Sequence, residues 1–448
     1  KEGVLSMQSS LQTGRIGGLF AQYCVSSVLG MLGISLYILA DTFFIANGVG
    51  QTALAALNLV LPAYSVIQAM GLMLGIGGAA YASVQRGMGN AAQGNRMLTF
   101  GVCWAALLGL AIALLGTLAA RPICLALGAG GDTLPHCVSY LRIVTLFAPM
   151  FILNQVLLAF VRNDHGPRLA MLSMLSGSFF NIVMDYVLVF PAGLGMGGAA
   201  LATAFSPVVG IAVLLLHFRS PRCTTRLERK WPPLRLWLQV LRGGAASFIT
   251  EMASGTVLLL FNLTLLPLAG NLGVAAYGII ANIVLVFGGI FTGVGQAIQP
   301  LVSVNFGAGQ SHRMRQALSL GGVTAVALGL FGVACGLLWA PQITALFNRG
   351  NDPALSALAI PGIRLYFLCL PLMGLNLVVS AYLQSVLQLQ ASTVLSLGRG
   401  LIFIALFVTV LSRLWGVSGV WLAPLFAEAC ALLVATLLMC RGRASAAA

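Results

Sequence analysis

Charge is what this 448-residue chain has least of. Asp, Glu, Lys and Arg make up 7% of it, and lysine occurs only at Lys1 and Lys230. These shortages remove whole classes of function. There is no GxxxxGK[ST] phosphate loop, so ATP-driven transport by the chain itself is excluded. His136, His165, His217 and His312 form no HxxxH or HExxH pair, and no recognisable acid, base or metal set for an intramembrane enzyme is present. No two of the nine cysteines have CxxC spacing, and most lie in apolar stretches, so they read as small core residues rather than a disulfide or metal framework. The start of the chain lacks a charged region followed by a short apolar core and a small-residue cleavage site, so no cleavable signal is expected.

What replaces charge is apolar surface. The chain is 59% hydrophobic with a mean hydropathy of +0.99, the composition of a polytopic membrane protein. A spanning helix needs ~20 mostly apolar residues. Twelve stretches qualify, near 17–46, 53–85, 98–120, 137–161, 168–190, 197–218, 238–267, 273–305, 316–340, 357–384, 391–411 and 417–439. Several exceed the minimum, which implies tilt or kinks.

The net charge of +14 does not point to nucleic acid, because the basic residues are spread among short loops. They act as topology signals. With both termini cytoplasmic, only Arg121, Arg349 and Arg413 face outward, and Arg142, Arg364 and Arg399 fall within spans. Arg142 and Arg364 sit near the outer ends of spans 4 and 10, where snorkelling accounts for them.

The chain also repeats itself. Gly50, Gly75, Gly87, Gly109 and Gly116 recur 220 residues later at Gly270, Gly295, Gly307, Gly329 and Gly336. Arg142, Pro149 and Asn154 recur 222 residues later at Arg364, Pro371 and Asn376. The expected fold is therefore an all-α membrane protein of twelve transmembrane helices in two six-helix lobes, related by a pseudo-twofold along the membrane normal. Its division is 1–218 for the N-lobe, 219–237 for a cytoplasmic linker and 238–448 for the C-lobe.

Against this background the interior acids stand out. Asp41, Asp185, Glu251 and Glu428 lie inside spans, where a carboxylate costs ~2.5 to 3.5 kcal/mol on insertion scales. Arg399 is the one clear base at depth, and it is expected to pair with Glu428. Asn181 and Asp185 share a helix face with Met174 and Ser178 on span 5. Met31, Ser35 and Asp41 share one on span 1, and Thr203 lies on span 6. If the faces converge, two carboxylates, an amide oxygen and a hydroxyl line one pocket suited to a hard cation or a proton. Glu251 on span 7 is either a second cation site, a counter-charge for a cationic substrate or a protonated, hydrogen-bonded acid. Met31 and Met174 are candidate substrate contacts because they share faces with the acid site.

The segments Asp41-Thr-Phe-Phe-Ile, RNDHGPRLAML at 162–172, NIVMDYVLVF at 181–190, GMGGAALAT at 195–203 and GVGQAIQPLVSVNFGAG at 293–309 resemble the multidrug and toxic compound extrusion (MATE) transporters, most of all their DNA-damage-inducible-type bacterial and archaeal branch. The resemblance spans essentially the whole chain. It implies a V-shaped antiporter that exports cationic or amphipathic compounds in exchange for Na⁺ or H⁺ by alternating access. It implies a cation site at Asp41, Asn181, Asp185 and Thr203, a further polar member at Asn154, and a likeness of Glu251 to the span 7 glutamate of a sister branch. That branch also has an aspartate on span 10, which is missing here. Members with a proton-triggered bend carry a proline in span 1, where this chain has Gly30 and Gly33 and no proline before Pro62.

The expectation is thus a multi-pass, monomeric efflux protein of the cytoplasmic (inner) membrane. It would use no cofactor beyond the coupling ion, contact small organic cations and membrane lipids, and bind no nucleic acid. The rival is a lipid or lipid-linked oligosaccharide flippase on a related scaffold, which would need several Arg or Lys in its cavity to hold pyrophosphate.

Overall fold

The structure, a computed structural model, describes residues 11–221, 223–229, 234–348 and 352–447. Lys1, Arg222, Lys230, Arg349, Pro232 and Pro233, and the side chains of Arg235, Arg441 and Arg443, lie outside the described residues.

Among the described residues every regular element is helical, and nine helices are long and apolar enough to cross a bilayer. A tenth span is the pair Thr133–Leu146 and Ala148–Asn163, bent by 50° ahead of Pro149. Two of the helices hold two spans each. Leu234–Gly307 turns at Gly270 (φ 62°) and Phe403–Ala447 turns at Gly416 (φ 59°), backbone angles that only glycine takes without strain. The total is the twelve spans that the apolar runs predict.

The repeat is physical as well as textual. A Cβ at Gly101 would stand 2.9 Å from Val156, and one at Gly321 would stand 3.2 Å from Val378. Gly109 meets Pro149 as Gly329 meets Pro371, and Gly116 meets Thr145 as Gly336 meets Phe367. These glycines let spans 3 and 9 press closely on spans 4 and 10, against the backbone at Pro149 and Pro371.

Two large apolar cores follow the lobes, with two exchanges. Leu236 and Val240, at the start of span 7, pack in the N-lobe core. Leu11, Ile16, Phe20, Tyr23 and Cys24, in and just before the first half of span 1, pack in the C-lobe core. Spans 1 and 7 therefore cross between lobes, although each belongs by sequence to the other half.

The lobes meet at the end of the bundle that carries the linker. Gly87 and Gly307, repeat equivalents at the ends of spans 2 and 8, lie backbone to backbone. Gly77 fits against Gly243 and Gly244 in the same way. Arg162 donates to Gln296 at 2.7 Å and Gln299 donates to the Ile76 carbonyl at 3.2 Å across the seam.

The expected pair inside the C-lobe is present. Arg399 reaches both oxygens of Glu428, at 2.7 and 3.3 Å, and Asn376 donates to the Glu428 carboxylate at 2.7 Å. Arg399 sits on a π turn, Gly398–Ile402, that replaces regular helix in span 11. Arg142 and Arg364 are exposed, as snorkelling side chains would be. Removing one member of a buried pair strands the other charge, at about 3 to 5 kcal/mol, whereas removing both costs little. Arg399→Met should lower the unfolding temperature of the purified protein, and Arg399→Met with Glu428→Leu should recover most of the loss, as read by thermal denaturation in detergent.

Candidate functional site

Span 1 runs as one unbroken helix, Ile16–Gly48, and span 5 as Pro167–Val189. They pack through glycines: Gly30 fits under the Met174 sulfur, Gly33 against Leu175 and Gly48 against Phe190. With no Cβ at those positions the helices approach closely enough to set the Asp41 and Asp185 carboxyl groups side by side. Two carboxyl groups can hold that position only with a proton on one of them, and two carboxylates so close require a cation between them.

The rest of the predicted set closes around this pair. Asn181 is fully buried one turn from Asp185. In the orientation that satisfies both its polar atoms, its nitrogen donates to Asp185 Oδ2 at 3.1 Å and its oxygen accepts from the Thr203 N–H at 3.2 Å. Thr203 is 4% exposed. No base pairs with Asp41 or Asp185 among the described residues, and one oxygen of each is buried with no partner. The donor set is oxygen-rich and acidic, which suits H⁺ or Na⁺ and offers nothing to a soft metal.

The remaining predicted residues surround this centre at different depths. Met174 is buried between spans 1 and 5, so it shapes the packing under the acids. Met31 is half-buried against the N-lobe core. Asn154 lies a layer closer to the seam, beside Ser173 and Gly210, with a buried Oδ1 that has no partner. Glu251 is half-buried and unpaired by any described base, and its charge acts on Tyr37 together with those of Asp41 and Asp185. The span 7 acid and the N-lobe acids therefore all lie near enough to Tyr37 to act on it.

Sequence reasoning passed over the tyrosines and glutamines of this space. Tyr37, one helical turn before Asp41, faces Tyr64. Gln68 donates to the Tyr64 hydroxyl at 2.7 Å and accepts from Gln155 at 3.3 Å, and Tyr140 lies beside Thr203. The spacings Tyr37 to Asp41 and Tyr64 to Gln68, each one turn, were the available signal.

A second polar group sits at the linker face, where Asp164, His217 and Cys223 offer ligand atoms within 4.8 Å of one another. The Asp164 carboxylate is already engaged. It accepts from Arg86 at 2.9 Å, from His217 at 2.9 Å, from the Thr224 and Thr225 N–H groups at 3.0 and 3.1 Å, and from the Thr224 hydroxyl. Burial alone would push this carboxyl up; the Arg86 charge and the His217 and Thr224 bonds outweigh it and hold it well below the usual carboxylate range. Arg86 stands where a metal would be repelled, so the group is a knot that fastens the linker to the N-lobe.

With the geometry in place, comparison with known proteins is direct. The MatE family matches residues 27–187 and 246–415, most of the chain. The chain belongs to the MatE family. It is 27% identical over 419 residues to the multidrug export protein MepA of Staphylococcus saprophyticus, covering 93% of this chain and 92% of that one. It is 26% identical over 427 residues to MepA of Staphylococcus aureus strain NCTC 8325, again covering 93% and 92%. In fold it superimposes, with a TM-score of 0.91 at 24% identity over 100% of this chain and 98% of the other, on a structure described as the outward-facing conformation of a multidrug resistance MATE family transporter of the MOP superfamily. It also matches a MOP superfamily transporter from Pyrococcus furiosus, with a TM-score of 0.90 at 23% identity over 98% of each chain. The twelve-helix, two-lobe fold and membership of a multidrug efflux transporter family follow.

Asn181 fixes both Asp185 and Thr203, so its truncation should loosen the cation pocket without emptying the core. Asn181→Ala is expected to weaken the coupling cation by about tenfold, the value of one charge-assisted hydrogen bond. Titration of purified protein with Na⁺ or H⁺, read by competition with a bound dye, checks this.

Proposed function

We propose that this chain is a secondary antiporter of the cytoplasmic membrane that exports organic cations and amphipathic compounds in exchange for H⁺ or Na⁺. The observation that carries this reading is the apposed carboxyl pair Asp41 and Asp185, left without a base and held by Asn181 and Thr203 within the spans of one lobe. A pair left without a base is costly, and binding an exchangeable cation relieves that cost.

The contact between the lobes at the linker face leaves the acid space on the side away from the seam, which supports an outward-open state. With both termini cytoplasmic, a cation entering from outside fills the Asp41 and Asp185 site and weakens the substrate's hold. Linkage then requires the substrate to weaken the cation by the same factor. The membrane potential contributes ~2.3 kcal/mol per elementary charge per 100 mV, so one-for-one exchange of monovalent cations gains nothing from it and runs on the concentration gradient.

Pocket charge supports organic cations over the flippase rival. The Pyrococcus furiosus transporter that shares this fold is described as having a binding pocket whose reverse polarity suggests a different function, so pocket charge is the feature to compare across the fold. Here Asp41, Asp185 and Glu251 all bear on Tyr37, and theirs is the charge that a ligand in this region would meet. The buried Arg162 lies at the seam against Gln296. A pyrophosphate would meet three acids.

The test uses purified protein in liposomes loaded with ethidium, under a Na⁺ gradient and then a pH gradient, wild type beside Asp41→Asn and Asp185→Asn. Ethidium movement driven by one gradient and lost in both variants is the expected outcome, and it names the ion. Failure of both gradients to move any of several cationic dyes, with the protein still folded, would sink the antiport reading.

A further inference from the structure

Span 1 is held at its two ends by different lobes. Just ahead of it, Arg313 Nη2 donates to the Leu11 carbonyl at 3.0 Å and to the Gly14 carbonyl at 2.7 Å. Asn305 Nδ2 donates to the same Leu11 carbonyl at 3.2 Å, and Arg313 Nε donates to Asn305 Oδ1 at 3.0 Å, locking the two donors to each other. Asn305 is fully buried at the end of span 8, and Arg313 opens span 9, so both belong to the C-lobe. Past this clamp Ile16, Phe20, Tyr23 and Cys24 pack in the C-lobe core, and Val28 lies over Gly293. From Gly30 onward the same helix packs on span 5 of the N-lobe, with Gly289 of span 8 still against Ser35, and it carries Asp41 beyond that contact. It is unbroken over 33 residues and contains no proline.

The other crossing has its own fastening. The linker ahead of span 7 is tied to the N-lobe by the Asp164 knot, by Asn95 accepting from the Arg226 N–H at 3.1 Å and by Thr99 accepting from the Glu228 N–H at 2.8 Å. Each lobe thus grips the chain entering the first span of the other. A continuous helix with one end fixed in the C-lobe and a titratable carboxyl in the N-lobe works as a rod: a change of tilt at Asp41 reaches the other lobe only while the far end is held.

We infer that Arg313 and Asn305 are positioning residues of the transport cycle, anchoring span 1 to the C-lobe so that occupancy of the Asp41 site shifts one lobe against the other. The inference rests on the reading of Asp41 and Asp185 as the coupling site. Neither residue touches the ion or the substrate, so removing the clamp should separate two quantities that a defect in the site would change together. Local displacement of substrate by the cation persists, and gradient-driven transport is lost.

The test is ethidium binding to the full chain in nanodiscs with and without the coupling cation, beside gradient-driven ethidium efflux in liposomes, for Arg313→Gln, Asn305→Ala, Arg313→Lys and Asp41→Asn. In Arg313→Gln and Asn305→Ala, ethidium affinity and its displacement by the cation should stay within about twofold of wild type while driven efflux falls about tenfold or more. Arg313→Lys, which keeps a donor cation within reach of the two carbonyls, should recover part of the efflux. Wild-type efflux in both clamp variants overturns the inference. So does a parallel loss of ethidium binding and efflux, which would make the clamp mere scaffolding. Persistence of cation displacement in Asp41→Asn would instead overturn the coupling site itself, so the two failures are distinguishable.

Discussion

The cost of placing charge in hydrocarbon governs this molecule. Each ionised group at depth must be paired, hydrogen-bonded or neutralised by something that arrives from outside. Arg399 and Glu428 are paired, with Asn376 filling the remaining acceptor. Asp164 and Arg86 are paired at the linker face and ringed by donors from the linker. Asp41 and Asp185 have only each other, Asn181 and what enters the cleft. In the proposed exchange, the pair that the described residues leave without a base is the pair put to use.

That distinction also breaks the symmetry of the repeat. Gly50 and Gly270, 220 residues apart, both take positive φ, and this register sets Asp41 opposite Phe261. Gly198 packs on the Leu188 backbone as Gly419 packs on that of Leu411, which sets Asn181 and Asp185 opposite Ile404 and Val408, and Thr203 opposite Pro424. All four C-lobe counterparts are apolar, and three of them, Phe261, Ile404 and Val408, are in the core. The offset grows from 222 at Val156 and Val378 to 223 at Leu188 and Leu411. One extra residue is what a π turn absorbs, and the turn at Gly398–Ile402 is where Arg399 sits. The C-lobe kept the scaffold and its own internal ion pair in place of a second copy of the N-lobe acids.

Much of this was readable from residues alone, because membrane helices must satisfy their backbones internally and so announce themselves by length and hydropathy. The spans, the repeat and the Arg399 and Glu428 pair needed no coordinates. One-turn spacings placed Asn181 and Asp185 on one helix face, but that this face meets Asp41 and Thr203 on two other spans needed the structure. The Tyr37, Tyr64 and Gln68 chain escaped notice because tyrosine and glutamine carry no charge, so their presence in a span raises no alarm. Asp164 escaped for the opposite reason: it lies in a loop, where an acid looks ordinary until five donors are found around it.

The crossing of spans 1 and 7 could not be read from sequence, and the reason bears on how such a protein can work. A helix flanked by two apolar cores has the same composition whichever core receives it, so chain order assigns each span to its own half by default. Besides its apolar side chains, what ties the first half of span 1 to the C-lobe is a pair of main-chain carbonyls just ahead of it, Leu11 and Gly14, held by Arg313 and Asn305 some 300 positions away. Carbonyl acceptors leave no trace in side-chain identity. Yet these bonds determine whether a carboxyl on span 1 reports to one lobe or to both. Had span 1 packed wholly within the N-lobe, filling the Asp41 site would reshape that lobe alone, and the glycine seam at Gly87 and Gly307 would feel nothing. Because its inner half is built into the C-lobe core, the site and the seam share one rigid element, and a change at the first is mechanically a change at the second.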